Sequence, residues 1–271
     1  MSFFRVERSV KCWIFPLIIG STGFTSCDWD ENWDKRKASQ TRSVHRIILV
    51  RHGQYVSGKT DSERKLTGLG RQQAEATGKR LQKLLQDDSK EFPEIRSVYY
   101  STMSRATETA QLMLPYIAND KTKVEPCSMI REGACYRPVP PISAKRWPVT
   151  DEDYYVDGKR IEAGFCAHVH RPDEADTVNE SKSDTKSENE RQGNPYKSQS
   201  KGGSYSTVLV CHGNVIRYFV ARALQVNPEI WLRMAVNNAS YTILDVHSDG
   251  HVSLRTLGND GHFSPEMITY M

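Results

Sequence analysis

Short apolar runs of strand type alternate along this chain with stretches whose apolar residues recur at helical spacing. That alternation restricts it to the α/β class with a largely parallel sheet. His45–Val50 (HRIILV) is a buried-strand run, and Thr67 can cap a helix whose inner face carries Ala74, Thr77, Leu81, Leu84 and Leu85. Ile95–Tyr100 reads as a second strand. Ser104 can cap the next helix, which faces inward through Ala106, Ala110, Met113, Leu114 and Ile117. Val124–Ile130 is a third candidate strand and Tyr205–Cys211 a fourth, leading into the helical stretch Val215–Leu224. Tyr241–Val246 and His251–Leu257 flank Asp249-Gly250, a dipeptide suited to a hairpin turn.

Two polar segments interrupt this pattern. Asp28–Ser43 is charged and without apolar periodicity apart from Trp29 and Trp33, and reads as a tether. Arg171–Gly203 holds only Ala175, Val178 and Tyr196 as apolar residues, too few to bury a core, and reads as a disordered insertion in a surface loop. The organisation is therefore an N-terminal segment (1–27), a tether (28–44) and one domain (45–271) interrupted at 171–203. Without the insertion and the N-terminal parts roughly 190 residues remain, a size that one core supports. In the N-terminal segment Arg5, Arg8 and Lys11 precede the uncharged run Cys12–Cys27. As a helix this run would span roughly 24 Å, short of the ~30 Å hydrocarbon core, and Pro16 weakens it. A cleaved secretory signal and a short membrane anchor both fit this layout.

Composition excludes more than it selects. With 38% apolar residues among 271, the chain is neither a polytopic membrane protein, a collagen nor wholly disordered. The 37 basic and 33 acidic residues leave a net charge of +4, too mild to imply a nucleic-acid partner. Six scattered cysteines without a C-x-x-C pair argue for reduced thiols more than for a disulfide framework.

In open α/β sheets ligands bind beyond the carboxyl ends of the strands. Four strand candidates here end in reactive residues: Arg51-His52-Gly53, Ser101-x-x-x-Arg105, Arg131-Glu132-Gly133 and His212-Gly213-Asn214. A lone histidine after a strand is usually structural; four such endings are not a coincidence. Two His, two Arg and one Glu, with neither an Asp cluster nor a Lys-Ser/Thr loop, suit phosphoryl transfer without a metal or cofactor. Guanidinium groups match phosphate geometry and keep their charge. A neutral imidazole is a competent nucleophile when its other nitrogen is held. A carboxylic acid beside the leaving oxygen can protonate it.

These four motifs in order resemble the histidine phosphatase (phosphoglycerate mutase-like) superfamily over roughly residues 45–165 and 204–271. The resemblance implies a single phosphoglycerate mutase-like α/β domain ending in a hairpin. It makes His52 the phosphohistidine nucleophile, Arg51, Arg105 and His212 the holders of the phosphoryl oxygens, and Glu132 the general acid and then base. Within the superfamily the chain is most similar to mitochondrial serine/threonine protein phosphatases, through Trp29-Asp-Glu-Asn-Trp33-Asp34, Arg51-His-Gly-Gln-Tyr55, Arg160-Ile-Glu-Ala163, Asn214-Val-Ile-Arg-Tyr218 and Leu254-Arg-Thr-Leu-Gly258. That likeness implies phosphorylated protein substrates and an N-terminal anchor in a mitochondrial membrane, the outer one by preference. It also implies a homo-oligomer, dimer or larger, assembled through Trp29, Asp30, Asn32, Trp33 and Asp34. Two Trp four residues apart share one face if the segment is helical. The competing reading places them at a membrane surface.

The sequence departs from those phosphatases in its long insertion, in Gly213 where they have Ala, and in Glu31 where they have Pro. A phosphoglycerate mutase would resemble R-H-G-E-S-x-W-N at the nucleophile, whereas here the run is Arg51-His-Gly-Gln54-Tyr55-Val56-Ser57-Gly58. A secreted acid phosphatase would show R-H-G-x-R-x-P, against Tyr55 and Ser57 here. An inactive scaffold is disfavoured, because all five catalytic positions are occupied. His168-x-His170 has no third ligand nearby and reads as structural. Cys211 reads as core, and Tyr55 and Asn214 as residues that touch the substrate or shape the site.

Overall fold

Every residue of β4 (Tyr205–Cys211) and all but the first of β1 (Val44–Arg51) are buried, as continuous apolar runs at the centre of a parallel sheet should be. In the computed structural model, residues 29–39, 42–87, 92–172 and 203–270 are described. The sheet adds β2 (Ile95–Ser101), β3 (Lys123–Cys127), β5 (Tyr241–His247) and β6 (Val252–Asn259), in the order β3-β2-β4-β1-β5-β6. β3, β2, β4 and β1 are parallel; β5 runs antiparallel to β1, and β6 to β5. The expected C-terminal hairpin is β5–β6. Within it the buried carboxylate of Asp245 takes both Nε and Nη2 of Arg46, its register partner on β1, at 2.7 and 2.8 Å.

Strand alternation divides the core in two. Ile48, Val50, Val208 and Val210 pack against Leu81 of α1 (Gly68–Asp87) and Ala110, Met113 and Ile117 of α2 (Ser104–Ile117). Ile47, Leu49, Leu209 and Cys211 pack on the opposite face. There they meet Ile161 and Phe165 of α3 (Asp151–His168) and Val215, Ile216 and Phe219 of α4 (Gly213–Ala223). Thr67 caps α1 as its position predicts, its hydroxyl accepting the Gly70 N–H at 2.9 Å.

Two local expectations are corrected, and one unexpected helix appears. The third strand stops at Cys127, and Ser128–Ile130 form a single 3₁₀ turn that lifts Arg131 and Glu132 toward the sheet's carboxyl end. Ser104 is the first residue inside α2 rather than its cap. Its N–H and hydroxyl both donate to Asp61 Oδ2, at 2.9 and 3.1 Å, so a carboxylate from a distant loop closes that helix end. Helix α3 carries no simple apolar stripe, but it is announced by a capping box between Thr150 and Asp153.

The segment expected to be a tether is seated on the domain from Trp29 to Ser39. It forms turns, not a helix, and its two tryptophans part: Trp33 is 5% exposed and Trp29 37%. The Trp33 indole donates to the Gly250 carbonyl at 2.9 Å and lies 5.9 Å from the Phe165 ring. Asp30 exchanges two hydrogen bonds with Gln225. Asp34 forms a buried ion pair with Arg171 at 3.2 Å and accepts the Arg171 N–H at 2.8 Å; the Arg171 guanidinium also donates to the carbonyls of Glu31 and Arg36. Asn32 lends its backbone, its N–H donating to Asp30 Oδ1 at 2.9 Å. The anchor expected at 1–27 lies outside the described residues, as does the insertion apart from Arg171, Pro172 and Gly203. Among the described residues no helix is long and apolar enough to cross a membrane.

Candidate active site

The register of the central strands sets the site. Arg51 pairs with Cys211 and Val50 with Val210, so β1 and β4 end level and the residues that follow, His52 and His212, stand side by side. Their ring centroids are 5.1 Å apart. Four further hydrogen bonds hold the His52–Gly53 backbone. The His52 N–H donates to Cys211 O at 3.0 Å, and its carbonyl accepts from Ala239 N at 3.1 Å and Asn238 Nδ2 at 3.3 Å. The Gly53 N–H donates to Thr109 Oγ1 on α2 at 3.0 Å. Glycine is required at 53 because the chain crosses α1 there: a Cβ would lie 2.4 Å from the Gly70 carbonyl oxygen.

The partners of His52 assign its tautomer. Nδ1 is 2.8 Å from the Gly53 carbonyl oxygen, which only accepts, and Nε2 is 3.1 Å from Arg105 Nε, which only donates. Nδ1 therefore carries the proton, and the Nε2 lone pair faces the site. Burial, Arg105 and Arg51 push the His52 pKa well below 6.5, so the ring stays neutral. His212 Nε2 lies 2.8 Å from Ser101 Oγ, whose hydroxyl also accepts the Met103 N–H at 3.3 Å. Where the Ser101 hydroxyl donates to Nε2, the ring hydrogen of neutral His212 sits on Nδ1. Burial and the neighbouring His52 lower the His212 pKa as well.

Arg51 Nε, Arg105 Nη1 and His212 Nδ1 are each buried without a hydrogen-bond partner. With the hydrogen of His212 on Nδ1, the three are donors that match the equatorial oxygens of a phosphoryl group, and an ester bound there would satisfy all of them. The rest of each side chain is held: Arg51 Nη1 donates to Val236 O at 2.7 Å, and the Arg105 guanidinium stacks 4.8 Å over the Tyr55 ring. Tyr55 also meets His52 edge-on at 5.1 Å. Arg51 is lowered by burial to about 10 and Arg105 is lowered likewise; Arg51 stays fully protonated at neutral pH. Burial raises the Glu132 carboxyl, against the Gly133 N–H and the cations Arg105, Arg51 and Arg217.

All five sequence-predicted residues thus converge, whereas Trp29–Asp34 lie on the flank that carries Phe165 and Gly250. The remaining readings find their places. Cys211 is wholly buried and its thiol is pushed up by burial. His168 stacks on Tyr99 at 4.4 Å with Nε2 3.4 Å from Cys127 Sγ. Among the described residues no group of three or more His, Cys, Asp or Glu could hold a metal ion.

Residues 47–134 and 165–260 match the family described as histidine phosphatase superfamily (branch 1). The chain belongs to that superfamily. It is 37% identical to the mitochondrial serine/threonine-protein phosphatase PGAM5 of Xenopus tropicalis, over 94% of this chain and 86% of the relative. It is 41% identical to the mitochondrial serine/threonine-protein phosphatase Pgam5 of Drosophila ananassae, over 88% and 71%. The crystal structure of phosphoglycerate mutase from Bacillus anthracis superposes with a TM-score of 0.51 at 17% identity, covering 82% of this chain and 96% of that one. That likeness shows the fold.

Sequence reasoning gave no role to Arg217, Asp61 or Ser101. Arg217 lies on α4 one turn beyond Asn214, and its Nη1 donates to Asn214 Oδ1 at 3.3 Å while Nε donates to Met234 O at 2.8 Å. Its spacing of three from Asn214 on one helix is the signal that could have found it. Asp61 Oδ1 stands 3.6 Å from Arg105 Nη1, a long-range partner that no local pattern announces.

Neutral buried histidines carry a stability cost in acid. His52 and His212 are held neutral by burial, and His45 at the far end of β1 is lowered to about 3. Unfolded, each takes up a proton near 6.5; folded, none does until far lower. Stability is therefore complete above pH ~6.5 and falls as the pH drops, by up to ~1.4 kcal/mol per unit for each ring. Urea unfolding at pH 7.5 and pH 5.5 should show a clearly lower midpoint in acid; equal midpoints would contradict these neutral buried rings.

Proposed function

We propose that this chain is a protein serine/threonine phosphatase working through a phosphohistidine on His52. We further propose that residues 1–27 attach it to a mitochondrial membrane, and that Trp29–Asp34 serve assembly into a homo-oligomer. The observation that carries the chemistry is the His52 Nε2 lone pair beside three convergent donors, Arg51 Nε, Arg105 Nη1 and His212 Nδ1. Protein substrates and the mitochondrial setting rest on the names of the relatives. Assembly rests on the buried docking of Trp33 and Asp34, since a seat that accepts its own segment also accepts the same segment from a second copy.

The steps follow from the geometry. As a phosphoester settles on the three donors, Arg105 turns from Nε2 to the phosphoryl oxygens. The Nε2 lone pair then attacks phosphorus, a P–N bond forms, and the P–O bond to the seryl or threonyl oxygen breaks. Bound phosphoryl charge offsets the cations that oppose the burial-driven rise of the Glu132 pKa, which favours a protonated carboxyl able to give its proton to the departing oxygen. Glu132, now a carboxylate, takes a proton from water as that water attacks; the P–N bond breaks and phosphate leaves.

Glu132→Gln should therefore slow a phosphoserine peptide by ~10²–10⁴-fold and p-nitrophenyl phosphate, whose leaving group needs no proton, by less than ~10-fold. Equal losses on both substrates would remove Glu132 from acid catalysis. Chelators should leave both rates unchanged, because three of the four imidazole nitrogens of the site are engaged by Gly53, Arg105 and Ser101 and three arginines surround it.

A further inference from the structure

Glu132 has one hydrogen bond at its carboxylate, from the adjacent Gly133 N–H to Oε1 at 3.2 Å. Its reach is thus set by the backbone of the turn that carries it, and α3 grips that turn from outside. Arg160 Nη1 donates to the carbonyls of Met129 at 3.0 Å and Arg131 at 2.7 Å. Arg160 Nη2 donates to the Glu132 carbonyl at 3.2 Å and to Asp157 Oδ1 at 2.7 Å. Asp157 Oδ2 in turn accepts the Ala134 N–H at 2.9 Å. One ion pair thereby engages the backbone of four of the six residues from 129 to 134. The approach is close enough that only glycine fits at 133: a Cβ there would lie 2.5 Å from Asp157 Cγ and 2.6 Å from Arg160 Nη2. From the other side, Asn214 Nδ2 on α4 donates to the Gly133 carbonyl at 3.3 Å, so the turn is held between two helices.

An ion pair three residues apart on a helix contributes only a few tenths of a kcal/mol by itself. Asp157 and Arg160 are 29% and 24% exposed, so neither is required by the apolar core. What the pair does instead is hold four backbone groups of the one segment that carries Glu132. We propose that Asp157 and Arg160 are positioning residues that clamp the Glu132 turn and fix the distance over which Glu132 delivers its proton. The proposal rests on the phosphatase reading above.

The test uses the full chain in five forms: wild type, Glu132→Gln, Arg160→Met, Arg160→Lys and the double variant Glu132→Gln/Arg160→Met. Arg160→Met keeps the stem and loses every donor. It should slow the phosphoserine peptide by ~10–100-fold, part of what a general acid contributes, and change p-nitrophenyl phosphate by less than ~3-fold. Arg160→Lys should recover part of the loss, since an ammonium reaches one or two of the carbonyls. In the double variant the Arg160 change should add nothing to Glu132→Gln, because it acts through that residue. Multiplicative losses in the double variant, or equal losses on both substrates by Arg160→Met, would overturn the clamp. If Arg160→Met does not fold, Asp157→Asn with and without Glu132→Gln supplies the same comparison. Equal losses by Glu132→Gln alone would sink the acid role of Glu132 instead, and the double variant would still decide whether Arg160 acts through it.

Discussion

His52→Ala yields a folded protein that no longer turns over a phosphoserine peptide. The expected loss is at least ~10⁴-fold, the scale on which a covalent nucleophile matters. No neighbour can replace it. Cys211 adjoins His212 in sequence, but it lies on a strand buried on both faces and its thiol is pushed up by burial. His212 is tied to Ser101 through Nε2 at 2.8 Å, and the carbonyl that holds the His52 ring, Gly53 O, has no counterpart at the His212 Nδ1. The substitution removes the partners of the Gly53 carbonyl and of Arg105 Nε, at roughly 1–3 kcal/mol for each group left buried and unpaired. His52→Asn, which keeps a donor toward Gly53, therefore serves as the second variant. The measurements are peptide turnover, near-ultraviolet circular dichroism and acid-labile phosphate after a rapid quench. Turnover above a trace in a folded His52→Ala protein would end the phosphohistidine assignment.

The grouping of the candidate site was readable from sequence because its residues lie at or within a few positions of the ends of strands whose apolar pattern is local. HRIILV and STVLVC announce themselves as doubly buried strands, and the register that pairs Arg51 with Cys211 juxtaposes His52 and His212. Features that depend on contacts between distant segments were not readable. Ser104 looked like a cap because capping preferences are local, yet the cap is the Asp61 carboxylate from another loop. Helix α3 was missed because it buries only Ile161, Gly164, Phe165 and His168 and spends Asp157 and Arg160 on a turn rather than on solvent. The shared face for the tryptophan pair was conditional on a helix, and the segment forms turns instead, so the two side chains part.

That separation of the tryptophans gives the second large effect. Trp33→Ala should destabilise the protein by ~3–5 kcal/mol, as removal of a large buried aromatic does, while Trp29→Ala should cost less than ~1 kcal/mol. Trp33 contacts Phe165, donates to Gly250 and stands beside the buried Asp34–Arg171 pair, so its loss opens a cavity beneath a segment held by charge. For a domain of this size the difference corresponds to a melting point lowered by roughly 10 °C for Trp33→Ala alone. The two variants are compared in the full chain by thermal unfolding at two protein concentrations about a hundredfold apart, with light scattering on the same samples. Where the segment seats on its own domain, the loss is the same at both concentrations. Where copies exchange segments, the wild-type melting point rises with concentration and Trp33→Ala removes that dependence together with the oligomer. Equal stability of the two variants at both concentrations would show that Trp33 is not the anchor of this segment, and would remove the assembly role proposed for Trp29–Asp34 with it.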